Sequence, residues 1–298
     1  MSSRAKLLFF ALFLMTTPVG AEEPDVQPAI HIAPVAPTAQ VIKFSNQRPT
    51  VGERVVQRVG MELNLHTVIK QAGQVAHDDT TALRRRQERE IEVLEVVEGR
   101  ARKAQVSYPL ARLMSPENTD TAAETAQVVE GNSYLITRAN DRLLVTDLDG
   151  AIPTQQEYEI VVSTMESFGQ ANPLAEFLLA REIQVGETLE VPSTLANKMM
   201  GFDSLGDVQK FELHLIEVKQ INHQQCAVFK ANIVALGKPD NPLEVHAQGT
   251  IVIELATCRT IEATLTGPIS LLSTEQEVEY KATGDLLLAI RSQYTAKK

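Results

Sequence analysis

From about Lys43 onward the dominant hydrophobic period along the chain is two, the mark of strands with one face buried. "VGMELNLHTVI" sets Val59, Met61, Leu63, Leu65, Thr67 and Ile69 on one face and Gly60, Glu62, Asn64 and His66 on the other. "KAQVSYPLAR" repeats the pattern with Ala104, Val106, Tyr108 and Leu110. Within it Pro109 has no N–H to give a ladder, which predicts an edge position or a bulge. "SYLITRANDRLLVTDL" reads as a hairpin turning at Asn140-Asp141, residues that tolerate a positive φ. Strands over 225–236 and 244–256 predict another, turning near "KPDNP".

Between these stretches the period becomes helical. In "PTQQEYEIVVSTMESFG", Thr154 and Glu157 have capping-box spacing, and Tyr158, Val161, Met165 and Phe168 share a face. Asn172-Pro173 then supplies an N-cap and a first-turn proline for "PLAEFLLARE", whose apolar side is Leu174, Phe177 and Leu178. A third short helix is expected at "STLANKMMG", stopping at Gly201. The fold class is therefore mainly β with a few connecting helices (α+β).

Parts of the chain resemble one another in order. Val51-Gly52-Glu53 recurs as Val185-Gly186-Glu187, "LEVVEGRARKAQV" matches "IEVKQINHQQCAV", and "NDRLLVTDLDG" matches "TCRTIEATLTG". Short strands with glycine turns also resemble one another by composition alone. The ordered matches favour two tandem, duplicated antiparallel β units, curved-sheet or half-barrel-like, at residues 43–152 and 183–298, with connecting helices at 153–182. The polar insertion "SPENTDTAAETAQ" of the first unit predicts an exposed loop.

The N-terminus stands apart from this pattern. Arg4 and Lys6 precede "LLFFALFLM", and Val19-x-Ala21 has the small residues of a cleavage site, so residues 1–21 read as a secretory signal peptide. The apolar run is too short for a retained anchor, which needs about 18 residues. Residues 22–42, with Pro24, Pro28, Pro34 and Pro37, read as a proline-rich linker or arm. The expected location is the periplasm or the extracellular space, and no later stretch is apolar and long enough to be a transmembrane segment.

With a formal charge of -10 the chain repels nucleic acid and anionic lipid surfaces, so neither is an expected partner. The one basic run, "RRRQERE" at 84–90, interleaves its cations with Glu88 and Glu90 and has no aromatic neighbour for base stacking. It reads as a solvated strand entry.

Catalytic and metal signatures are sparse. The chain contains no G-x-S-x-G, H-E-x-x-H, Walker loop or G-x-G-x-x-G, and its only S-x-x-K, Ser3 to Lys6, lies in the signal. His66, His77, His214, His223 and His246 are scattered, so no metal site or cofactor is expected. "TDLDG" begins like a calcium loop, but Tyr158 stands where the closing Glu belongs, and a tight turn is the better reading. His77 and Asp79 offer a base and a carboxylate without a nucleophile in sequence reach.

The helices beside the second unit carry a different signal. Leu178, Leu195, Met199 and Met200 are candidate lining for an apolar groove, since thioethers adapt to varied apolar ligands. Ordinary core packing is the competing reading. An oxidising compartment favours pairing of the two cysteines, Cys226 and Cys258, across the hairpin near "KPDNP".

With these features in place, residues 170–295 resemble uncharacterised secreted β-rich bacterial proteins in which a helix leads into "VGETLEVP"-like text and then a meander of strands. The resemblance implies no activity. By fold analogy the strand content is similar to the curved half-barrels of periplasmic lipoprotein carriers. The expected function is an exported non-catalytic binding or envelope-assembly module, with an apolar groove for a lipid, a lipidated protein or an extended chain. The alternative is a secreted hydrolase with a dispersed active site.

The cleavage motif makes a direct prediction: exported protein begins at Glu22. N-terminal sequencing that returns Met1 refutes it.

Overall fold

Strands that alternate in polarity and are joined by tight turns pair first with their sequence neighbours, and that is how each half of this chain is built. The structure, a computed structural model, describes residues 40–114, 124–200, 206–239, 242–275 and 277–295. The signal peptide, most of the arm and the helix stop at Gly201 lie outside the described residues. In the first half, β1 (Val41–Lys43), β2 (Arg54–Gln71), β3 (Gln74–Val97), β4 (Arg100–Met114), β5 (Thr125–Ala126), β6 (Ser133–Ala139) and β7 (Arg142–Asp147) precede α1 (Gln155–Met165) and α2 (Pro173–Leu179). Then come β8 (Glu182–Gln184), β9 (Thr188–Glu190), α3 (Ser193–Met200), β10 (Gly206–Ile221), β11 (Gln224–Gly237), β12 (Leu243–Glu254), β13 (Thr260–Glu275) and β14 (Val278–Thr295).

Three hairpins turn through two residues that both have positive φ: Ala72-Gly73, Glu98-Gly99 and Asn222-His223. That geometry matches the twist of the flanking strands. The two halves then share one sheet. β2 pairs with β14 without a break, from Gln71 opposite Val278 to Arg54 opposite Thr295. The result is a twelve-stranded antiparallel sheet in the order β7-β6-β4-β3-β2-β14-β13-β12-β11-β10-β9, with β5 on β4. Its edges β7 and β9 do not pair with each other, so it is open rather than closed into a barrel. The arm contributes β1, which pairs with β8 in a separate two-stranded sheet, and part of the predicted loop, Thr125–Ala126, forms β5 against β4.

One face of the large sheet is apolar and carries the helices, and odd-numbered residues of β2 define it. It holds two clusters. The larger joins Leu63, Phe211, Leu213, Phe229, Ile233, Leu265, Leu286, Leu288 and Ile290 to residues of α2 and α3. The smaller joins Val55, Ile91, Val106, Tyr108, Tyr134 and Ile136 to Val161 and Met165 of α1. The opposite face is polar. Cross-strand ion pairs Arg58–Glu88, Arg84–Glu62 and Lys70–Glu279 and the His66–Asp78 hydrogen bond run along it.

Two sequence expectations change here. Leu110 was expected on the apolar face, but a bulge sets Leu110 opposite Glu88 and Ser107 opposite Glu90, so that Tyr108 and Pro109 face the single residue Arg89 and β4 carries one extra residue. Tyr108 stays inside, while Ala111 takes the buried place expected for Leu110. Pro109, which has no donor to lose, sits in that bulge.

The disulfide between Cys226 and Cys258 is also corrected, because both thiols are free and buried. The hairpin register is close to that expected, with Cys226 opposite Glu254. However, Cys226 joins Val228, Val252 and Ile261 in a small cluster on the polar side of the sheet. Cys258, at φ 54 in the β12–β13 turn, instead joins the large cluster near the Ala175 carbonyl of α2. Residues that point to opposite faces of a sheet cannot be bridged without moving the backbone.

A crease shapes the sheet. Gly249, Gly267 and Gly284 lie on the apolar face of β12, β13 and β14, each near the next across the ladder, since Gly249 pairs with Leu265, Gly267 with Leu286 and Gly284 with Leu65. A Cβ added at these positions would stand 1.8 Å from the Thr264 oxygen, 1.8 Å from the His246 oxygen and 1.7 Å from the Asn64 oxygen. Only glycine permits that approach, which lets the strands coil.

Gly284→Ala therefore lowers stability by more than about 3 kcal/mol, whereas Gly60→Ala, whose nearest neighbour is Ala289 Cβ at 4.0 Å, is tolerated. Urea titrations of the two variants check this, and equal midpoints refute the crease.

The thiols give a second test. Burial pushes Cys226 up to about 11 and Cys258 up to about 12. Protons held more tightly when folded stabilise the protein fully below the unfolded thiol value of about 8.5. That contribution fades as pH rises through the folded values. Labelling without reductant detects two thiols only after unfolding. A disulfide found by mass spectrometry refutes the assignment.

Candidate functional site

The helical cover lies toward the two edges of the sheet. On one side α3 packs on β10 and α2 on α3. Asn197 fixes α3, accepting the Val208 N–H at 2.7 Å and donating to Asp207 Oδ1 at 3.0 Å. Asn172 caps α2, its Oδ1 accepting the Leu174 and Ala175 N–H groups. The predicted lining residues meet here: Leu178, Met199 and Met200 are buried in the large cluster, and Leu195 is half-buried against it. They form the apolar underside of the cover.

On the other side α1 packs near β7. The predicted capping box is present, with Glu157 N–H donating to Thr154 Oγ1 and the Thr154 N–H to Glu157 Oε2. Tyr134 Oη also donates to Glu157, at 2.7 Å. Arg138 donates to the Phe168 carbonyl at 2.8 Å and to that of Glu166, holding the C-terminal end of the helix.

The central strands β2, β3, β14 and β13 reach past the deeply buried core. Along their apolar face Val59, Met61, Leu65, Leu83 and Leu271 are only half-buried. Farther out the face becomes polar and exposed at His77 and Asp79, where the Asp79 carboxylate accepts the Thr80 N–H. The apolar face thus grades from the buried core through half-buried aliphatic side chains to exposed polar ones toward the hairpin tips.

Between the two apolar clusters lies a feature that the sequence reading placed in solvent. "RRRQERE" runs through the middle of β3, and its even members Arg84, Arg86 and Glu88 make ion pairs with Glu62, Glu124 and Arg58. The odd members Arg85, Gln87 and Arg89 turn to the apolar face opposite Met61, Val59 and Gln57. Gln87 is 2% exposed and Arg89 4%. Strict alternation along a strand was the signal for this, masked because a charged run looks solvated as a whole.

Arg89 donates through Nη1 to the Thr164 carbonyl and, at 3.5 Å, to Met165 Sδ. Tyr108 Oη lies 2.6 Å from Thr164 Oγ1 in the same group. Arg89 Nε and Gln87 Nε2 are buried without a hydrogen-bond partner, as is Oε1 of Gln127, which sits beyond β4. Desolvation lowers the Arg89 pKa to about 10, with Arg85 adding cationic repulsion and Tyr108 opposing it. The guanidinium therefore stays charged at neutral pH. A buried charge costs several kcal/mol, and the end of a helix returns at most about 2 kcal/mol. The partners Arg89 makes are neutral, so its charge is left undercompensated.

No protein family matches the chain, and no curated protein matches it. Among solved structures, lipovitellin, from a study of its lipid–protein interactions, aligns with a TM-score of 0.37 and 9% identity, over 84% of this chain and 26% of the lipovitellin chain. The chain thus spans about a quarter of lipovitellin. An outer membrane channel from Pseudomonas putida F1 aligns with a TM-score of 0.22 and 11% identity, over 87% of this chain and all of that one. What the protein does is therefore read from its own sheet.

Proposed function

We propose that the protein is an exported, non-catalytic binding or envelope-assembly module that holds an apolar ligand in the trough of its sheet, working in the periplasm or outside the cell. The observation that carries this is the mismatch between apolar face and cover. Val59, Met61, Leu65, Leu83 and Leu271 are only half-buried on the apolar face of the central strands, where they border the buried core. Apolar surface of this kind marks ligand or partner sites more often than bare solvent contact. The ion-paired opposite face keeps the protein in water while the trough holds its guest. A lipid, the acyl part of a lipidated protein and an extended chain all present the linear apolar shape that a strand-lined trough accepts. Leu178, Leu195, Met199 and Met200 anchor the helices that wall its β10 side.

Titration with a fluorescent fatty-acid analogue tests the reading. The wild-type protein binds it, and Leu65→Asp and Leu83→Asp each weaken binding at least about tenfold, because a carboxylate must then be desolvated, while the circular dichroism spectrum is unchanged. Met200→Asp buries a charge in the core and instead lowers thermal stability. A probe that does not bind wild type, or that binds both trough variants equally well, overturns the proposal.

A further inference from the structure

We infer that the polar seam between the two apolar clusters is an oxyanion site, in which Arg89, Gln87 and Tyr108, with Arg85 beside them, receive a carboxylate or phosphate. Arg89 and Gln87 are almost fully buried and each keeps a hydrogen-bond donor with no partner, Nε and Nε2. Both lie on the apolar face of β3. The protein groups that Arg89 does contact are a carbonyl and a thioether, neither of which carries charge. Two donors, one cationic, held two residues apart on one desolvated face of β3 are what a planar or tetrahedral oxyanion matches. Arg138 already holds the C-terminal end of α1, so capping that helix does not by itself require a second buried guanidinium.

The position of the seam also names the source of the anion. Going outward along β3 from Arg89, the apolar face passes Gln87 and Arg85 and reaches Leu83, with Met61 and Leu63 alongside on β2. A ligand with its head at Arg89 and Gln87 lays its tail over Leu83 and Leu65 toward the open hairpin tips. This part of the inference rests on the trough reading above, and the ligand class it specifies is an amphiphile with one anionic head, of the fatty-acid or monoalkyl-phosphate type.

Isothermal titration of the full-length mature protein with dodecanoate, dodecanol and inorganic phosphate separates the possibilities. Dodecanoate is expected to bind about tenfold or more tighter than dodecanol, the difference that one charge-assisted contact supplies. Arg89→Met removes that preference while leaving dodecanol affinity unchanged. Gln87→Leu, which removes no hydrogen bond from its unpartnered Nε2, reduces the preference too and serves where Arg89→Met fails to fold. Phosphate that raises the melting temperature in an Arg89-dependent way, with neither amphiphile binding, supports the oxyanion site with a free anion as its source and overturns the trough. Equal affinities for dodecanoate and dodecanol, with no effect of phosphate, overturn the oxyanion site and leave the trough standing, with buried water serving the two donors. Binding of none of the three overturns both.

Discussion

Pairing of the first long strand with the last is the interaction on which the rest of the molecule depends. β2 and β14 stay in register from Arg54–Thr295 to Gln71–Val278. Each half alone is a meander with a raw central edge, and a raw edge of that length is an aggregation template. Joining them removes both edges and creates the wide apolar face. The Glu53–Arg259 pair, at 2.8 Å, adds a second tie between the halves at one end of this seam, where Arg259 also stacks over Tyr294 at 4.7 Å. Closing a contact between residues so far apart in sequence carries a loop-closure cost that the unbroken β2–β14 ladder must offset.

Once the halves are joined, the sheet has more apolar face than the three described helices bury. The glycine crease across β12, β13 and β14 responds by coiling the sheet around the large cluster. The polar seam at Arg85, Gln87 and Arg89 does something different: it divides the face. Two apolar clusters with a buried cation between them are a poor solution for stability alone, since hydrophobic residues of similar volume would avoid the desolvation of a guanidinium. Retaining donors at such a position is understandable where an acceptor visits it.

Much of this was legible in the sequence because local physics sets it. The period of two named the face of β2 from Val59 to Ile69, the Thr154–Glu157 spacing gave the start of α1, and Asn172-Pro173 gave that of α2. The hairpin register that places Cys226 opposite Glu254 followed from turn position. What could not be read depended on distant partners. No local pattern says that β2 meets β14, so two tandem units in the sequence carry no sign that they share one sheet. Cys258 was paired with Cys226 on proximity along the hairpin, whereas the turn that carries it sends its side chain beneath α2. The bulge at Pro109 exchanged Leu110 for Ala111 by one residue of slip, which no hydrophobic count detects.

The basic run shows most clearly how a strand conceals a site. Read as a block, Arg84 to Glu90 is a solvated stretch of four arginines and two glutamates. Read by parity, it is two sequences. Arg84, Arg86, Glu88 and Glu90 belong to the solvent face, where exposed pairs contribute at most about 1 kcal/mol each. Arg85, Gln87 and Arg89 belong to the interior, where the same side chains are among the most costly to bury. A charged residue inside a β-rich core is informative in proportion to that cost, and alternation is the one sequence-level property that separates the costly members from the cheap ones.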